Sequence, residues 1–473
     1  MSFIARFAPS TTGLIHLGNL RTAIFNYLFA RNKGGKFLLR IENTDQKREN
    51  KSSCKDIFNV LNWLNLDFDG EVVYQLDRRT RHKEIVEQLL KSGAAYYCFS
   101  SVGEIEAQKQ QAISKNESFK FQSPWRDRKS NYPENIKPVV RLKVPSGVKI
   151  SLNDVVQGEI TVSTDDIDDM VLLRSDGNVP TYMLAVVVDD HDMGITHIIR
   201  GADHLTNTFR QAIIYQALGW HIPVICHIPL ICNEDGQKFS KRQGASGIDR
   251  YKNLGYLPEA IFNYLLRLGW SYGNEEIISK NQAIQWFNLE SLGKSPARIN
   301  YDKMYALNGH YLKNTDNKTL TNLVVELLNQ EYKIDKESYQ FILLAMDELK
   351  LRANLITELA DISKFYLPGY KINLTDEARD ALNLIDIEFI KEIIGIVEKL
   401  SNKNKDEIKL ALKNFAKEKG KKLSQVMHPI RILVTGNLKS PGMFSMIAIL
   451  GTKNIINRLK LYEKYFTPRL ETK

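Results

Sequence analysis

One short segment near the start of the chain, Gly13-Leu14-Ile15-His16-Leu17-Gly18-Asn19, separates two patterns of different period. Before it, residues 2–7 alternate small or polar with apolar side chains, which predicts a β-strand, and residues 9–13 break that strand with proline, hydroxyl groups and glycine. After it, apolar residues such as Leu20 and Ile24 recur at steps of three and four, which predicts a helix with one buried face. The segment is therefore a turn between a strand and the N-terminus of a helix.

Such a turn can bind an anion. The first N–H groups of a helix have no intrahelical partner, and the helix dipole favours a phosphate at that end. Gly18 would let a nucleotide approach the backbone, because a Cβ atom there would push it away. His16 could donate a hydrogen bond to a phosphate oxygen whose charge grows during a reaction. An ordinary turn with a surface histidine is the alternative, and this segment alone does not choose between them.

A second segment, Lys238-Phe239-Ser240-Lys241-Arg242, follows another predicted strand at residues 224–231. Its two lysines, with Gly244 and Gly247 after them, suit a flexible arm that closes over a triphosphate. In a chain with 65 lysines and arginines, two lysines would usually belong to a solvated surface. Ser240 between them, together with the first segment, favours a phosphate site instead.

Further motifs occur along the chain. They are Arg6-Phe7-Ala8-Pro9-Ser10, Ile41-Glu42-Asn43-Thr44-Asp45, Pro180-Thr181-Tyr182, Val188-Asp189-Asp190-His191-Asp192-Met193-Gly194, Ile198-Ile199-Arg200-Gly201, Leu307-Asn308-Gly309-His310-Tyr311 and Ser440-Pro441-Gly442. With the two segments above, these motifs resemble those of the bacterial glutamyl-tRNA synthetases, a family of class I aminoacyl-tRNA synthetases. The similarity spans nearly all 473 residues. An unrelated nucleotidyltransferase with a similar phosphate site is the alternative, and the later motifs argue against it.

The resemblance implies a role for each residue of a site. The residues that would contact glutamate are Arg6, Ala8, Ser10, Glu42, Tyr182 and Arg200; those that would contact ATP are Gly18, Asp203, Ser240 and Lys241; and those that would act in catalysis are His16, Asn19, Lys238 and Lys241. An arginine can grip a carboxylate with two parallel hydrogen bonds, and Glu42 would hold the substrate ammonium group. A structural ion pair is the alternative for Glu42 or Arg200, and a core position is the alternative for Tyr182.

The resemblance also implies the reaction. ATP, as its Mg²⁺ complex, and L-glutamate would form glutamyl-adenylate and pyrophosphate, and the 3′-terminal ribose of tRNA-Glu would then take the glutamyl group. The resemblance suggests a need for tRNA before activation begins, but the sequence alone leaves this open. Three alternatives stay open: an enzyme that also charges tRNA-Gln, a non-catalytic RNA-binding paralogue, and a truncated relative that modifies an anticodon base. About 150 residues of helical pattern after residue 322 argue against the truncated relative.

The resemblance and the residue patterns together predict an α/β protein followed by helices. Residues 1–80 and 195–245 would form a doubly wound, Rossmann-like catalytic domain with its site at the carboxyl ends of the strands. Residues 81–194 would be an α+β insertion that receives the acceptor end of tRNA. Residues 246–321 would be a helical domain that contacts the tRNA stem. Residues 322–473 would be an all-α anticodon-binding region, with two subdomains.

Within the insertion, the pattern is helical over residues 80–115 and strand-like over 138–163. Many bacterial relatives hold a zinc ion in this insertion. Here Cys98-Phe99-Ser100 offers one thiol and Ser123-Pro124-Trp125-Arg126-Asp127 offers no second set of ligands, whereas a structural zinc site needs four nitrogen or sulfur ligands. We therefore predict no zinc and no other bound metal.

Composition is consistent with these expectations. The chain is 43% hydrophobic and 25% charged, has no run of eighteen apolar residues and shows no charged lead followed by an apolar segment at its start. This favours a cytoplasmic protein that is not bound to membranes, and we expect a monomer.

The positive charge is unevenly distributed along the chain, since residues 403–473 hold 16 lysines and arginines against five aspartates and glutamates. We predict tRNA contacts at Lys417, Lys421 and, for an exposed anticodon base, Arg352; a solvated helix surface is the alternative.

Overall fold

The computed structural model describes residues 2–13, 15–44, 51–117, 119–128, 130–175, 179–237 and 247–466. The chain divides into two units, each with its own internal contacts. The first lies within Met1–Arg250 and Ile261–Asn300, and the second lies within Tyr251–Ala260 and Tyr301–Lys473.

Up to residue 300 the chain contains both strands and helices. In chain order the elements are β1 (Ile4–Phe7), α1 (Leu17–Asn32), β2 (Lys36–Ile41), α2 (Lys51–Trp63), β3 (Val73–Tyr74), α3 (Arg79–Lys91), β4 (Ala95–Cys98), α4 (Val102–Ser114), β5 (Val139–Leu142), β6 (Lys149–Asp154), β7 (Gly158–Ser163), β8 (Val171–Leu173), α5 (Tyr182–Asp192), β9 (His197–Gly201), α6 (Leu205–Ala217), β10 (Val224–Ile228), β11 (Ile231–Cys232), α7 (Asp249–Leu254), α8 (Pro258–Arg267), α9 (Lys280–Trp286) and β12 (Ala297–Arg298).

The parallel strands of the first unit form a doubly wound arrangement. Strand β2 pairs in parallel with β1 and β3, and β10 pairs in parallel with β9 and β6. The backbone N–H of Thr196 donates to the carbonyl of Ile4 at 3.0 Å, which brings β1 beside β9. The strand order is therefore β3-β2-β1-β9-β10-β6-β7, and it reverses between β1 and β9. This confirms the predicted fold class, and ligands of such sheets bind at the carboxyl ends of the strands beside the reversal.

Helix α1 is buried on nearly every side. The sequence predicted a single apolar face, but 11 of the 16 residues are buried, including the polar Arg21 and Asn26. The reason is that α1 packs against β1 and β9 and also against α9. The side-chain amide of Asn26 donates to the carbonyl of Ile199 in β9 at 2.9 Å. The N-terminus of α1 is thus held in a fixed position next to the carboxyl end of β1.

Residues 80–115 are not continuously helical, which corrects the sequence prediction. Helix α3 ends at Lys91, and Gly93 adopts a φ of 76°, a left-handed conformation that turns the chain. Strand β4 follows and pairs antiparallel with β5, which also pairs with β8. Four residues are too few for alternation to reveal a strand between two helices. The strand-like pattern over 138–163 is confirmed as β5, β6 and β7.

After residue 300 the described elements are all helices. They are α10 (Tyr301–Asn314), α11 (Asn317–Leu328), α12 (Lys336–Leu349), α13 (Ile356–Ser363), α14 (Asp376–Asn383), α15 (Ile387–Glu398), α16 (Lys405–Glu418), α17 (Leu423–Thr435), α18 (Met443–Leu459) and α19 (Tyr462–Phe466). One apolar core runs through this second unit, with fully buried side chains such as Leu320, Met346 and Ile430. Within the described ranges, no helix is both long and apolar enough to cross a lipid bilayer.

Candidate active site

A cavity of about 600 Å³ opens where β1 and β9 end, within the first unit. Its wall contains every described residue that the sequence analysis expected to contact glutamate or ATP or to act in catalysis. These residues are Arg6, Ala8, Ser10, His16, Gly18, Asn19, Glu42, Tyr182, Arg200 and Asp203. Lys238, Ser240 and Lys241 lie outside the described residues. The structure thus brings together residues that are up to about 200 positions apart in the sequence.

His16 is the N-cap of α1. Its Nδ1 accepts hydrogen bonds from the backbone N–H groups of Gly18 at 3.1 Å and Asn19 at 3.4 Å, and the side chain of Asn19 accepts one from the backbone of His16 at 3.3 Å. A neutral imidazole whose Nδ1 accepts carries its proton on Nε2. His16 would therefore donate to a phosphate through Nε2.

This cap corrects part of the sequence interpretation. The sequence predicts that the first backbone N–H groups of α1 bind a phosphate, but two of them are bonded to the imidazole of His16. The missing side chain of Gly18 also serves this contact, because a Cβ atom there would lie 3.0 Å from Cε1 of His16. The helix N-terminus remains the positive end of a dipole, now extended by an imidazole N–H.

Behind the cavity, Arg6 and Arg40 share one buried carboxylate. Arg6 donates to both oxygens of Asp190, through Nε at 2.9 Å and Nη2 at 3.2 Å, and Arg40 donates to Asp190 at 2.5 Å. Burial alone would raise the pKa of Asp190, but the guanidinium groups of Arg40 and Arg6 outweigh it and hold that pKa below its usual value. One edge of Arg6 is therefore committed to Asp190, and only its other edge is available for a substrate carboxylate.

Glu42 lies at the end of β2, where its carboxylate is 3.4 Å from Nη2 of Arg40. Burial raises the pKa of Glu42, although Arg40 and Arg6 act in the opposite direction. A buried carboxylate of this kind is stabilised by a nearby cation. Glu42 thus has both a structural partner and the chemistry to hold a substrate ammonium group.

Arg200, on β9, uses three of its donor groups within the protein. Nε donates to Nε2 of His227 at 3.2 Å, and Nη2 donates to Thr208 at 2.6 Å and Gln211 at 2.8 Å. Nη1 is buried and has no hydrogen-bond partner among the described residues. Burial lowers the pKa of Arg200. A buried donor without a partner on the wall of a cavity is what a bound carboxylate would complete.

Tyr182 and His204 form a polar pair on the same wall. The hydroxyl group of Tyr182 lies 3.0 Å from Nδ1 of His204. Burial and the positive charge of Arg200 lower the pKa of His204 to about 4, and burial together with the charge of Glu42 raises the pKa of Tyr182 to about 12. Both side chains are therefore neutral at physiological pH and share one hydrogen bond.

The charges around the cavity do not balance. The wall of the cavity holds three guanidinium groups, those of Arg6, Arg21 and Arg200, and two carboxylates, those of Glu42 and Asp203. This set of five side chains has one positive charge in excess. L-Glutamate, with two carboxylates and one ammonium group, would neutralise it.

Sequence reasoning missed the groups that hold the arginines. Asp190 falls within a motif quoted above, but nothing in its surroundings showed that it would contact Arg6, which is 184 residues away. Arg40, Thr208, Gln211 and His227 were missed for the same reason. For Arg40 in β2 and His227 in β10, the only signal in one sequence is a polar residue within an apolar strand. Thr208 and Gln211 lie in helix α6 and give no such signal.

The expected tRNA-contact residues lie in the second unit. Nη2 of Arg352 is 3.5 Å from Glu348, which also accepts a hydrogen bond from the backbone of Gly442 at 2.8 Å. Lys421 places its ammonium group 4.7 Å from the ring centre of Phe389, and Lys417 is exposed on α16. These positions leave all three side chains at the surface.

Cys98 packs in a small apolar cluster with Tyr96 and Phe121. Its sulfur accepts a hydrogen bond from the hydroxyl group of Ser123 at 3.4 Å. Within the ranges that the structure describes, no group of three or more histidine, cysteine, aspartate or glutamate side chains is arranged to hold a metal ion.

Two protein families match this chain. Residues 3–306 match the catalytic domain of the tRNA synthetases class I (E and Q), and residues 319–462 match an anticodon binding domain. A glutamate–tRNA ligase 2 of Rickettsia felis is 51% identical over 459 residues, which cover 97% of this chain and 99% of that protein. The glutamate–tRNA ligase 2 of Rickettsia prowazekii is 50% identical over 461 residues, which cover 97% of this chain and 98% of that protein.

A solved structure shares the fold over the same extent. It is the crystal structure of a glutamate tRNA ligase from Elizabethkingia meningosepticum in complex with its amino acid, with a TM-score of 0.85 and 30% identity over 97% of this chain and 99% of that one. Family match, identity and fold therefore agree over nearly the whole length. The chain belongs to the class I tRNA synthetases of the glutamate and glutamine group, with the catalytic domain and the anticodon binding domain of that family.

Proposed function

We propose that this chain is an aminoacyl-tRNA ligase that joins L-glutamate to the 3′ end of tRNA-Glu through a glutamyl-adenylate. Relatives about 50% identical over nearly the full chain carry the name glutamate–tRNA ligase. The observation that carries the proposal is the cavity wall, where the unpartnered Nη1 of Arg200 and an excess of one positive charge suit an anionic amino acid. Class I enzymes of this kind use ATP as a substrate.

Different residues of the cavity wall would contact different groups of the bound glutamate. Arg200, through Nη1, and the open edge of Arg6 would hold the side-chain carboxylate of glutamate, and Glu42 with Tyr182 would hold its ammonium group. Ala8 and Ser10 would line the pocket.

At the nucleotide end, His16 would donate through Nε2 to a phosphate whose charge grows as pyrophosphate leaves. Asn19 and the backbone of Gly18 would lie beside the phosphates, and Asp203 beside the nucleoside. Lys238, Ser240 and Lys241 would contact the phosphates of ATP, which enters as its magnesium complex.

We also propose a role for each segment of the chain. Residues 1–80 and 195–245 would carry catalysis, residues 81–194 would receive the acceptor end, residues 246–321 would contact the stem and residues 322–473 would bind the anticodon arm. The match of residues 319–462 to an anticodon binding domain supports the last role. Arg352, Lys417 and Lys421 would contact tRNA there.

The test is aminoacylation with purified components. The protein is incubated with ATP, Mg²⁺, transcribed tRNA-Glu and labelled glutamate or glutamine. We expect glutamyl-tRNA-Glu and pyrophosphate, with little reaction of free glutamine, because an uncharged amide would leave a buried guanidinium group poorly paired. A protein that binds tRNA-Glu but forms no glutamyl-tRNA would contradict the proposal and favour an RNA-binding paralogue.

The same assay with tRNA-Gln distinguishes an enzyme specific for tRNA-Glu from one that charges both tRNAs. Running it with and without tRNA also shows whether pyrophosphate exchange requires tRNA. Size-exclusion chromatography with light scattering tests the expected monomer, and fractionation of cells tests the expected cytoplasmic location.

We propose further that the insertion holds no zinc. Cys98 has an apolar environment and a hydroxyl partner, Ser123, instead of other metal ligands. Elemental analysis of the purified protein is expected to give much less than one zinc per chain. One zinc per chain that survives dialysis against a chelator would contradict this prediction.

A further inference from the structure

Three buried polar side chains lie in a row across neighbouring strands, and only the last of them reaches the cavity. Asp154 ends β6, His227 lies in β10, and Arg200 lies in β9. In the parallel pairing of β10 with β9, His227 and Arg200 are direct partners, so their side chains point to the same face of the sheet. Asp154 and His227 do not line the cavity, whereas Arg200 does.

The hydrogen bonds of this row have a fixed direction. Arg200 can only donate, so Nε2 of His227, 3.2 Å from Nε of Arg200, must accept. The proton of the neutral imidazole is then on Nδ1, which donates to Asp154 at 2.7 Å. Burial and the charge of Arg200 hold the pKa of His227 below its usual value, although Asp154 acts in the opposite direction. Arg200 and Asp154 therefore favour the neutral tautomer of His227 with its proton on Nδ1.

Asp154 is itself held firmly. One of its oxygens accepts from the backbone N–H groups of Val156 at 2.9 Å and Gln157 at 2.8 Å, and the other accepts from the backbone N–H of His227 at 3.0 Å. The side chains of Asp154 and His227 are 3% and 0% exposed. Neither side chain therefore has room to turn away from its partner.

From this geometry we infer that Asp154 and His227 are positioning residues for amino-acid recognition: Asp154 fixes the tautomer and orientation of His227, and His227 holds the Nε edge of Arg200, so that Nη1 stays on the cavity side for the substrate carboxylate. The inference rests on the proposed function, since it assigns Arg200 to glutamate. It extends the glutamate site to a residue of the β6–β7 hairpin, which belongs to the proposed acceptor-end insertion.

The test is the kinetics of glutamylation by the full chain. His227→Ala removes the acceptor for Arg200, and we expect KM for glutamate to rise about 10- to 100-fold, the usual cost of losing an outer-shell partner, while KM for ATP stays within about threefold. Asp154→Asn presents a donor where His227 needs an acceptor, so the same change is expected in the same direction. In His227→Gln the side-chain carbonyl can accept from Arg200, and we expect partial recovery of KM.

The double variant Asp154→Asn/His227→Ala should be no worse than His227→Ala, because both substitutions interrupt one chain of hydrogen bonds. The matched control is His82→Ala. His82 is also 0% exposed and lies 2.9 Å from an aspartate, Asp189, but it is not in the cavity wall. The His82→Ala variant should lose about as much thermal stability as His227→Ala, but its KM for glutamate should be unchanged.

The outcomes separate the two proposals. If the unaltered protein does not glutamylate tRNA, the proposed function fails. If it does, the positioning role is overturned by an unchanged KM for glutamate in folded His227→Ala and Asp154→Asn. It is also overturned if these variants raise KM for glutamate and for ATP equally, as a general loss of structure would. Circular dichroism and thermal melting establish that each variant is folded.

Discussion

At Arg200, the donor nitrogens divide between the protein and the cavity. Nε and Nη2 are bonded to His227, Thr208 and Gln211, and Nη1 is buried without a partner among the described residues. A planar fork held on one edge presents its remaining N–H groups in a single direction, which a flexible ammonium group does not do. The shape of the group and its charge are therefore both needed for recognition.

This argument predicts the effect of Arg200→Lys. The positive charge remains but the fork is lost, so we expect KM for glutamate to rise about 10- to 100-fold, as for losing one or two hydrogen bonds to a charged group. Arg200→Gln should also narrow the preference for glutamate over glutamine. Steady-state aminoacylation measures both. Arg210→Lys is the control, since Arg210 is an arginine at the surface, 3.2 Å from Asp168; an equal effect there would contradict the assignment.

A second prediction concerns His204 and pH. An unfolded histidine takes up a proton near pH 6.5, whereas His204, with a pKa of about 4, stays neutral until the pH is much lower. Between these values the unfolded state binds more protons, so acid favours unfolding, and stability is lost as the pH falls from 6.5 towards 4. At pH 5 the loss is about 1–2 kcal/mol.

We therefore expect His204→Gln to reduce the fall in melting temperature between pH 7 and pH 5 by a few degrees. Comparing variant with unaltered protein removes the contribution of other titrating groups. His221→Gln, at an exposed histidine of the same unit, is the control. Parallel pH profiles for His204→Gln and the unaltered protein would show that His204 does not titrate in this way.

The sequence predicted which residues form the cavity but not what holds them. Arg6, Glu42 and Arg200 were predicted from motifs, and all three lie in one wall. Their partners could not be predicted, because Asp190, in α5, is 184 residues from Arg6 and contacts it only in the folded chain. A single sequence shows which residue types are present. It does not show which of them contact each other when they are far apart along the chain.

At the scale of elements, the start of α1 combines a helix cap with a candidate catalytic group. His16 caps the helix through Nδ1, and the proposed phosphate contact uses Nε2. A capping residue is held by two backbone N–H groups, so its other edge points in a fixed direction. Stability and activity therefore depend on different atoms of the same ring, and substitutions can separate them.

Two substitutions of His16 make this separation. His16→Asn keeps a side-chain acceptor for the backbone N–H groups, so the melting temperature should stay close to that of the unaltered protein. It removes the Nε2 donor, and adenylate formation should fall about 100- to 1000-fold, as for loss of a donor at a developing charge. His16→Ala should lose both the activity and about 1 kcal/mol of stability.

Pyrophosphate exchange in the presence of tRNA measures adenylate formation, and calorimetry measures stability. Full activity in His16→Asn would show that His16 acts as a cap alone. Unchanged stability in His16→Ala would instead show that the cap through Nδ1 does not stabilise the helix.

The elements also show where sequence patterns fail. The strand β1 and the helix α1 were predicted, because each has a period that spans several residues. The burial of α1 on its second side was not predicted, because α9, which covers it, comes from residues 280–286. Strand β4 was missed because four residues between two helices give no measurable alternation.

At the scale of the whole molecule, positive charge is concentrated in one part of the sequence. Residues 403–473 hold 16 lysines and arginines against five acidic residues, whereas the chain as a whole has a net charge of +10. The rest of the chain is therefore close to neutral. Such a segment can attract a polyanion without reading its sequence.

The structure distinguishes among these lysines. Lys419 is already 2.6 Å from Glu392, so part of its charge is compensated within the protein. Lys417, Lys421 and Lys422 are exposed at the end of α16 and the start of α17. Lys421 also lies over the ring of Phe389, which gives its ammonium group a defined position. These three side chains are the better candidates for phosphate contacts.

We therefore expect the triple variant Lys417→Gln/Lys421→Gln/Lys422→Gln to bind tRNA-Glu more weakly and with a flatter dependence on salt. The slope of log affinity against log salt should fall by roughly one unit or less per lost phosphate contact. Pyrophosphate exchange at saturating tRNA should be nearly unchanged, because the cavity belongs to the first unit.

The control removes the same charge elsewhere in the second unit, through Lys318→Gln/Lys333→Gln/Lys336→Gln, all at exposed positions. If binding depended only on net charge, both triple variants would lose affinity and salt dependence equally. If neither the affinity nor the salt slope changed in the first variant, its three lysines would serve only to keep the surface hydrated. A larger loss in the first variant than in the control, at equal net charge, is the result that a local phosphate-binding surface requires.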